Sequence, residues 1–148
     1  VPRFYSPSYS AVSWGHAEIN KALPRLKAAL KTVMTEHDAD GIVVRGTSGL
    51  VFGFPLSKHF RVLHVQKGSS HGQSVHAIGN ISPLHVVRLI FLDDLIDTGG
   101  TLKAVQSSLT VEGAEVVAAL LYADMRIAYK TCKRDICDAH GIPTYTFS

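Results

Sequence analysis

Apolar residues at Ile19, Leu23, Leu26, Leu30 and Val33 recur at helical spacing, which predicts an amphipathic helix with Ser13 as its cap. Pro24 falls inside that pattern and predicts a break or kink. Ahead of the helix, residues 1–15 form an irregular arm whose opening is rich in Pro, Ser and Tyr. GIVVR (41–45) is a short buried strand closed by Gly46. GLVFGFPLSKHF (49–60) predicts a helix that Pro55 can interrupt, and RVLHVQ (61–66) a second strand. The uninterrupted apolar runs VVRLIFL (86–92) and AEVVAALLYA (114–123) predict two fully buried strands, with a helix over 100–112 ended by Gly113 between them. A helix across 131–140 stops at Gly141, and IPTYTF (142–147) is an edge strand.

Strands alternating with helices predict one α/β domain over residues 1–148, with a mostly parallel sheet and helices on both faces. There is no internal repeat. In such sheets a ligand sits at the carboxyl ends of the strands, where the glycine-bearing loops after Arg45 and after Leu92 both fall. The polar stretch KGSSHGQSVHAIGNISP (67–83) predicts a long loop or a hairpin, placed as a flexible lid.

Composition narrows the function. With 46% apolar and 18% charged residues, the 148-residue chain can bury a core. Its +3 net charge is scattered, which argues against nucleic acid as a partner and suits a small phosphorylated ligand. No stretch has the length of a membrane span, and VPRFYSPSYS has no signal-peptide pattern. Cys132 and Cys137 point apart on a helix, so neither a local disulfide nor a metal pair is expected, and the cytoplasm is the expected compartment. His59/His64 and His71/His76 lack partners at zinc-ligand spacing.

The chemistry concentrates in RLIFLDDLIDTGGTL, residues 88–102. A strand–loop–helix turn reading Asp97-Thr98-Gly99-Gly100-Thr101 offers backbone N–H groups at a helix N-terminus, two hydroxyls and no bulky side chain. That suits a phosphate; the plainer alternative is a βα turn capped by Thr98. Asp93 and Asp94, side by side at a strand end, repel each other and call for a cation, a sugar diol or both, unless they are solvated turn acids. A phosphorylated ribose with Mg²⁺ nearby accounts for the loop and the acids together.

The run LIFLDDLIDTGGT (89–101) resembles, without a gap, the signature of the type I phosphoribosyltransferases, and the likeness extends over roughly residues 40–123. The resemblance implies that family's fold and a transfer from phosphoribosyl pyrophosphate (PRPP) to a nucleobase with release of pyrophosphate, as in purine salvage. By it, Asp93 and Asp94 hold the ribose hydroxyls and Mg²⁺, directly or through water. Asp97, Thr98, Gly99, Gly100 and Thr101 take the 5′-phosphate. GIVVRGTSGLVFG (41–53) looks like the pyrophosphate loop, with Arg45, Gly46, Thr47, Ser48 and Gly49 as its residues, although a tight turn with Arg45 in a salt bridge reads as well. The segment 67–83 matches the flexible catalytic loop in position, so that Lys67, Ser69, Ser70 and His71 reach pyrophosphate. Asp97 and Lys67 are the catalytic candidates, and a homodimer or higher homo-oligomer is expected.

Asp97 stands where the 6-oxopurine (hypoxanthine, guanine, xanthine) branch keeps a base near the purine N7, and the chain is most similar to that branch. Two features depart from it. Leu120-Leu121-Tyr122-Ala123-Asp124 contains no lysine to read the purine oxygen, and the C-terminal hood is small or absent. Phe4, Tyr5, Tyr9 and Trp14 are candidates for a substitute hood or, more plainly, for packing and subunit contacts, while Tyr122 and Met125 read as core or rim. A non-catalytic PRPP- or nucleotide-binding regulatory module of the same fold is the alternative. A phosphoribosyl hydrolase is a third class.

Overall fold

The computed structural model describes residues 15–66, 74–79, 87–93, 100–122 and 141–146. Helix α1 (His16–His37) opens the described chain. Strand β1 (Gly41–Arg45) and helix α2 (Gly46–Leu56) follow. Strands β2 (Val62–Gln66) and β3 (Ser74–Ala77) come next. Strand β4 (Arg88–Asp93) leads to helix α3 (Gly100–Val111), then β5 (Glu115–Leu121) and β6 (Thr144–Thr146).

The sheet has six strands in the order β3-β2-β1-β4-β5-β6. All neighbours are parallel except β2 and β3, which pair antiparallel from Leu63 opposite Ala77 to Gln66 opposite Ser74. Strand residues alternate between two apolar layers, as the period of two requires. Val43, Leu63, Val65, Leu89 and Phe91 pack under α3 through Leu102, Val105 and Leu109. Ile42, Val44, Val62, Ile90 and Leu92 pack under α1 and α2 through Leu26, Leu30, Val33, Phe52 and Leu56. Helices therefore cover both faces, as the alternation predicts. No described helix is long and apolar enough to cross a membrane.

Several local expectations need correction. The N-cap of α1 is Gly15, in extended conformation, not Ser13. The helix runs unbroken past Pro24 because Leu26, Leu30 and Val33, together with the half-buried Ile19 and Leu23, anchor both sides of it on the sheet. α1 ends where Asp38 turns into the left-handed region at φ 52°. There Arg88, at the amino end of β4, closes the junction: its guanidinium donates to the carbonyls of His37 (2.9 Å) and Asp38 (3.2 Å) and meets Glu115 at 3.1 Å.

Within the expected lid, residues 74–77 form β3 and extend the sheet edge, and the Ile78 amide still donates to the Val62 carbonyl at 2.9 Å. A four-residue strand gives little periodicity in sequence, so the hairpin alternative holds for this part. Residues 67–73 and 80–83, including Lys67, Ser69, Ser70 and His71, lie outside the described residues.

Candidate functional site

The strand order reverses between β1 and β4. From β1 the chain crosses by α2 to β2 on one side; from β4 it crosses by α3 to β5 on the other. From the carboxyl ends of these two adjacent strands the connections leave in opposite directions, and such a crevice is where open α/β sheets take ligands. Val43 is opposite Phe91, and continuing the register brings Arg45 level with Asp93. Val43 and Phe91 both belong to the α3-side layer, so the alternation puts Arg45 and Asp93 on that same side. Both are half-buried. The Asp93 carbonyl accepts the Tyr122 amide at 3.0 Å, which fixes the end of β4 to the end of β5.

At the first loop the expected small-residue turn is instead the first turn of α2. Arg45 is extended (φ −132°, ψ 141°), and Gly46 takes a left-handed φ of 69°, which reverses the chain straight into the helix. Gly46, Thr47, Ser48 and Gly49 are thus the opening residues of a helix whose cap residue makes no side-chain hydrogen bond to it. Their leading N–H groups face outward from the carboxyl edge of the sheet. Thr47 is exposed, Ser48 half-buried and Gly49 buried.

Gly49 serves packing. A Cβ there would lie 2.9 Å from Val44 Cβ and 3.3 Å from the Val44 carbonyl carbon, so the helix rests directly on β1. Gly53, one turn on, is similarly close to Val44 Cγ2 (3.2 Å) and Ile78 Cδ1 (3.3 Å).

One residue of this region escapes motif reading. His64, on β2 opposite Val44, reaches the Gly46 carbonyl with Nε2 at 3.0 Å. The only available signal is its parity: Val62 packs in the α2-side layer, so His64 two residues later turns to the same side.

At the second loop, Asp94, Asp97, Thr98 and Gly99 lie outside the described residues. The backbone of Gly100 and Thr101 opens α3, which returns across the side of the sheet that carries Arg45 and Asp93. Among the described residues no group of three or more His, Cys, Asp or Glu side chains could hold a metal by itself. Tyr122, at the end of β5, is buried with its ring edge-on to Phe52 at 4.9 Å, a core residue as expected.

No protein-family model matches the chain. A hypoxanthine/guanine phosphoribosyltransferase of Methanocorpusculum labreanum is 37% identical over 60 residues, which cover 37% of this chain and 32% of that protein. The chain thus matches about a third of the length of that curated relative. An adenine phosphoribosyltransferase from Thermoanaerobacter pseudethanolicus superposes with a TM-score of 0.57 at 19% identity, covering 86% of this chain and 80% of its own. The orotate phosphoribosyltransferase of Francisella tularensis does so with a TM-score of 0.57 at 10% identity, covering 89% and 66%. At such identities the likeness is one of fold. The chain has the type I phosphoribosyltransferase fold, and the family resemblance of residues 89–101 fits it.

Proposed function

We propose that the protein is a Mg²⁺-dependent phosphoribosyltransferase that joins a nucleobase, a 6-oxopurine first among them, to PRPP with release of pyrophosphate. The observation that carries this reading is the pairing of the two strand ends at the sheet's reversal point. It brings Arg45 level with Asp93 and sets the start of α2 beside the end of β4. A ligand with phosphate groups at both ends of a ribose needs two anion-binding loops about one sugar apart. Adjacent parallel strands, roughly 5 Å from each other, supply that spacing.

In this reading Asp93 and Asp94 accept hydrogen bonds from the ribose hydroxyls and orient the ring. Residues 97–101 hold the 5′-phosphate with backbone donors. Arg45 and the leading amides of Thr47 and Ser48 hold the pyrophosphate, with Lys67, Ser69, Ser70 and His71 closing over it. Displacement at the anomeric carbon builds oxocarbenium-like charge on the sugar, so orientation, leaving-group stabilisation and exclusion of water suffice without a nucleophilic side chain. Asp97 takes the proton of the incoming base. Hard carboxylate oxygens on Asp93 and Asp94 suit Mg²⁺, which takes one or two carboxylates together with phosphate oxygens and water. Bound there, it neutralises charge on the leaving pyrophosphate. Purine salvage in the cytoplasm by a homo-oligomer belongs to the same reading.

Preference for a 6-oxopurine draws on Asp97 and on the sequence likeness to a hypoxanthine/guanine phosphoribosyltransferase. One observation favours the sensor alternative: Leu120 and Leu121 at the end of β5, and Tyr122 after them, are all buried, so among the described residues no exposed side chain stands there to read a base. Pyrophosphate release from PRPP and Mg²⁺ against a panel of nucleobases separates the readings. Release with one base, hypoxanthine or guanine first, is the expected result. Tight PRPP binding without release identifies a sensor, and release with no base present identifies a hydrolase.

A further inference from the structure

We infer that His64 is a positioning residue for the pyrophosphate loop: it fixes the Gly46–Thr47 peptide so that the Thr47 amide points out of the carboxyl edge of the sheet, at the leaving group. The inference rests on the proposed function for the identity of the ligand, but its geometry does not. A carbonyl oxygen can only accept, so His64 Nε2 must be the donor in its 3.0 Å bond to the Gly46 oxygen. His64 is level with Val44, two residues short of Gly46 along β1, and stands on the β2 side. The Gly46 carbonyl is therefore drawn back along the sheet and toward β2. In a trans peptide the N–H of the next residue points opposite to that carbonyl. The Thr47 N–H is accordingly directed forward and away from β2, toward the β4 side where Asp93 stands.

The bond matters because Gly46 is the one residue here that can rotate cheaply. Its φ of 69° lies in the left-handed region, and glycine has no Cβ to hold it there. Its carbonyl already accepts along the axis in the first turn of α2, and the His64 bond adds a lateral donor that holds the peptide against a flip turning its oxygen, rather than its N–H, toward an anion. His64 is half-buried on the α2 side, and its bond spans 18 residues of chain. It thus couples the strand after α2 to the first turn of that helix, which Arg45, its cap residue, does not cap with its side chain.

The test uses His64→Phe, which keeps a flat ring without a donor, and His64→Gln, whose amide nitrogen can donate from a similar reach. The probes are PRPP with Mg²⁺ and a nucleoside monophosphate, which has the 5′-phosphate but no pyrophosphate. His64→Phe should weaken PRPP binding about tenfold, the equivalent of one lost hydrogen bond, leave nucleoside monophosphate binding unchanged and move the Thr47 amide ¹⁵N resonance. His64→Gln should restore all three. Unchanged PRPP affinity and an unmoved Thr47 resonance in His64→Phe overturn the inference, as does equal weakening of both ligands. Should His64→Phe fail to fold, a displaced Thr47 resonance in His64→Gln overturns it instead. If the wild-type protein binds neither probe, the proposed function fails, and the Thr47 resonance alone still decides whether His64 sets the peptide.

Discussion

A methyl group on Gly49 would stand 2.9 Å from Cβ of Val44, closer than real Cβ atoms approach one another, and 3.3 Å from that residue's carbonyl carbon. Neither partner atom can rotate away, because one is backbone and the other is the branch point of a stiff side chain. Gly49→Ala should therefore push α2 off β1 and destabilise the protein by about 1–3 kcal/mol, outweighing the ~1 kcal/mol that alanine gains in a helix. At Gly53 the close atoms are the side-chain ends Val44 Cγ2 and Ile78 Cδ1, so Gly53→Ala should be closer to neutral. Urea denaturation of both variants checks the order. Equal losses would mean that the helix does not rest on the strand through Gly49.

The opposite edge of the sheet supplies a second comparison. Arg88 bonds two carbonyls at the end of α1 and one carboxylate, while Glu115 is held by that ion pair with 62% of its side chain exposed. An exposed pair contributes little, whereas carbonyls at a helix end lose their donors if the guanidinium goes. Arg88→Ala should cost about 1–2 kcal/mol and Glu115→Gln under about 0.5 kcal/mol. Added salt should erase the effect of the second variant and spare most of the first. A Glu115→Gln loss as large as that of Arg88→Ala would show that the ion pair, not the carbonyl bonds, closes this junction.

Tyr145, on edge strand β6, shares a 2.7 Å hydrogen bond with His37 Nε2 near the end of α1. Desolvation, and then the charge of Glu36 and a hydrogen bond to it, raise the phenol above its ordinary pKa of 10.0. The folded state thus prefers the protonated phenol. Its contribution is fully present below about pH 10 and is lost as pH rises through the folded value. Tyr145→Phe should cost about 1 kcal/mol near neutrality and flatten the alkaline loss of stability. Denaturation midpoints at pH 7, 9 and 11 read both effects; an alkaline slope identical to wild type would assign it to other groups.

Where burial alone sets the structure, the residues announce it. GIVVR and RLIFLD are unbroken apolar runs because helices cover both their faces, and the structure places β1 and β4 within two residues of the sequence reading. The start of α2 is harder to see. GTSG has poor helix propensity and reads as a turn; it is helical because Gly49 and Gly53 let the segment lie against Val44, a tertiary effect with no local trace. β3 is hidden for a related reason, since SVHA becomes a strand by pairing with β2 rather than by its own pattern. At the candidate site, Asp93 and the stretch from Arg45 to Gly49 are marked by residue type. His64 is not, because a single backbone-directed hydrogen bond from a neighbouring strand has no motif.

The roles of the acids separate by ligand. Asp93 ends β4 with its backbone tied to Tyr122, and it projects to the side of the sheet across which α3 returns; in the proposed mechanism its carboxylate meets the sugar. Replacing Asp93 and Asp94 by Asn should weaken PRPP binding by about 1–3 kcal/mol, the loss of charged acceptors from ribose hydroxyls. Asp97 follows three residues after Asp94, at the head of the phosphate loop, and acts in the proposed mechanism on the incoming base. Asp97→Asn keeps size and hydrogen bonding but removes the basic oxygen. PRPP affinity should therefore hold while turnover falls roughly 10²-fold. Calorimetric PRPP titration alongside single-turnover kinetics distinguishes the two. Normal turnover with collapsed PRPP binding in Asp97→Asn would make that residue a structural part of the phosphate loop. The proton of the base would then have to leave by another route, even though the fold and the sugar-binding acids stood.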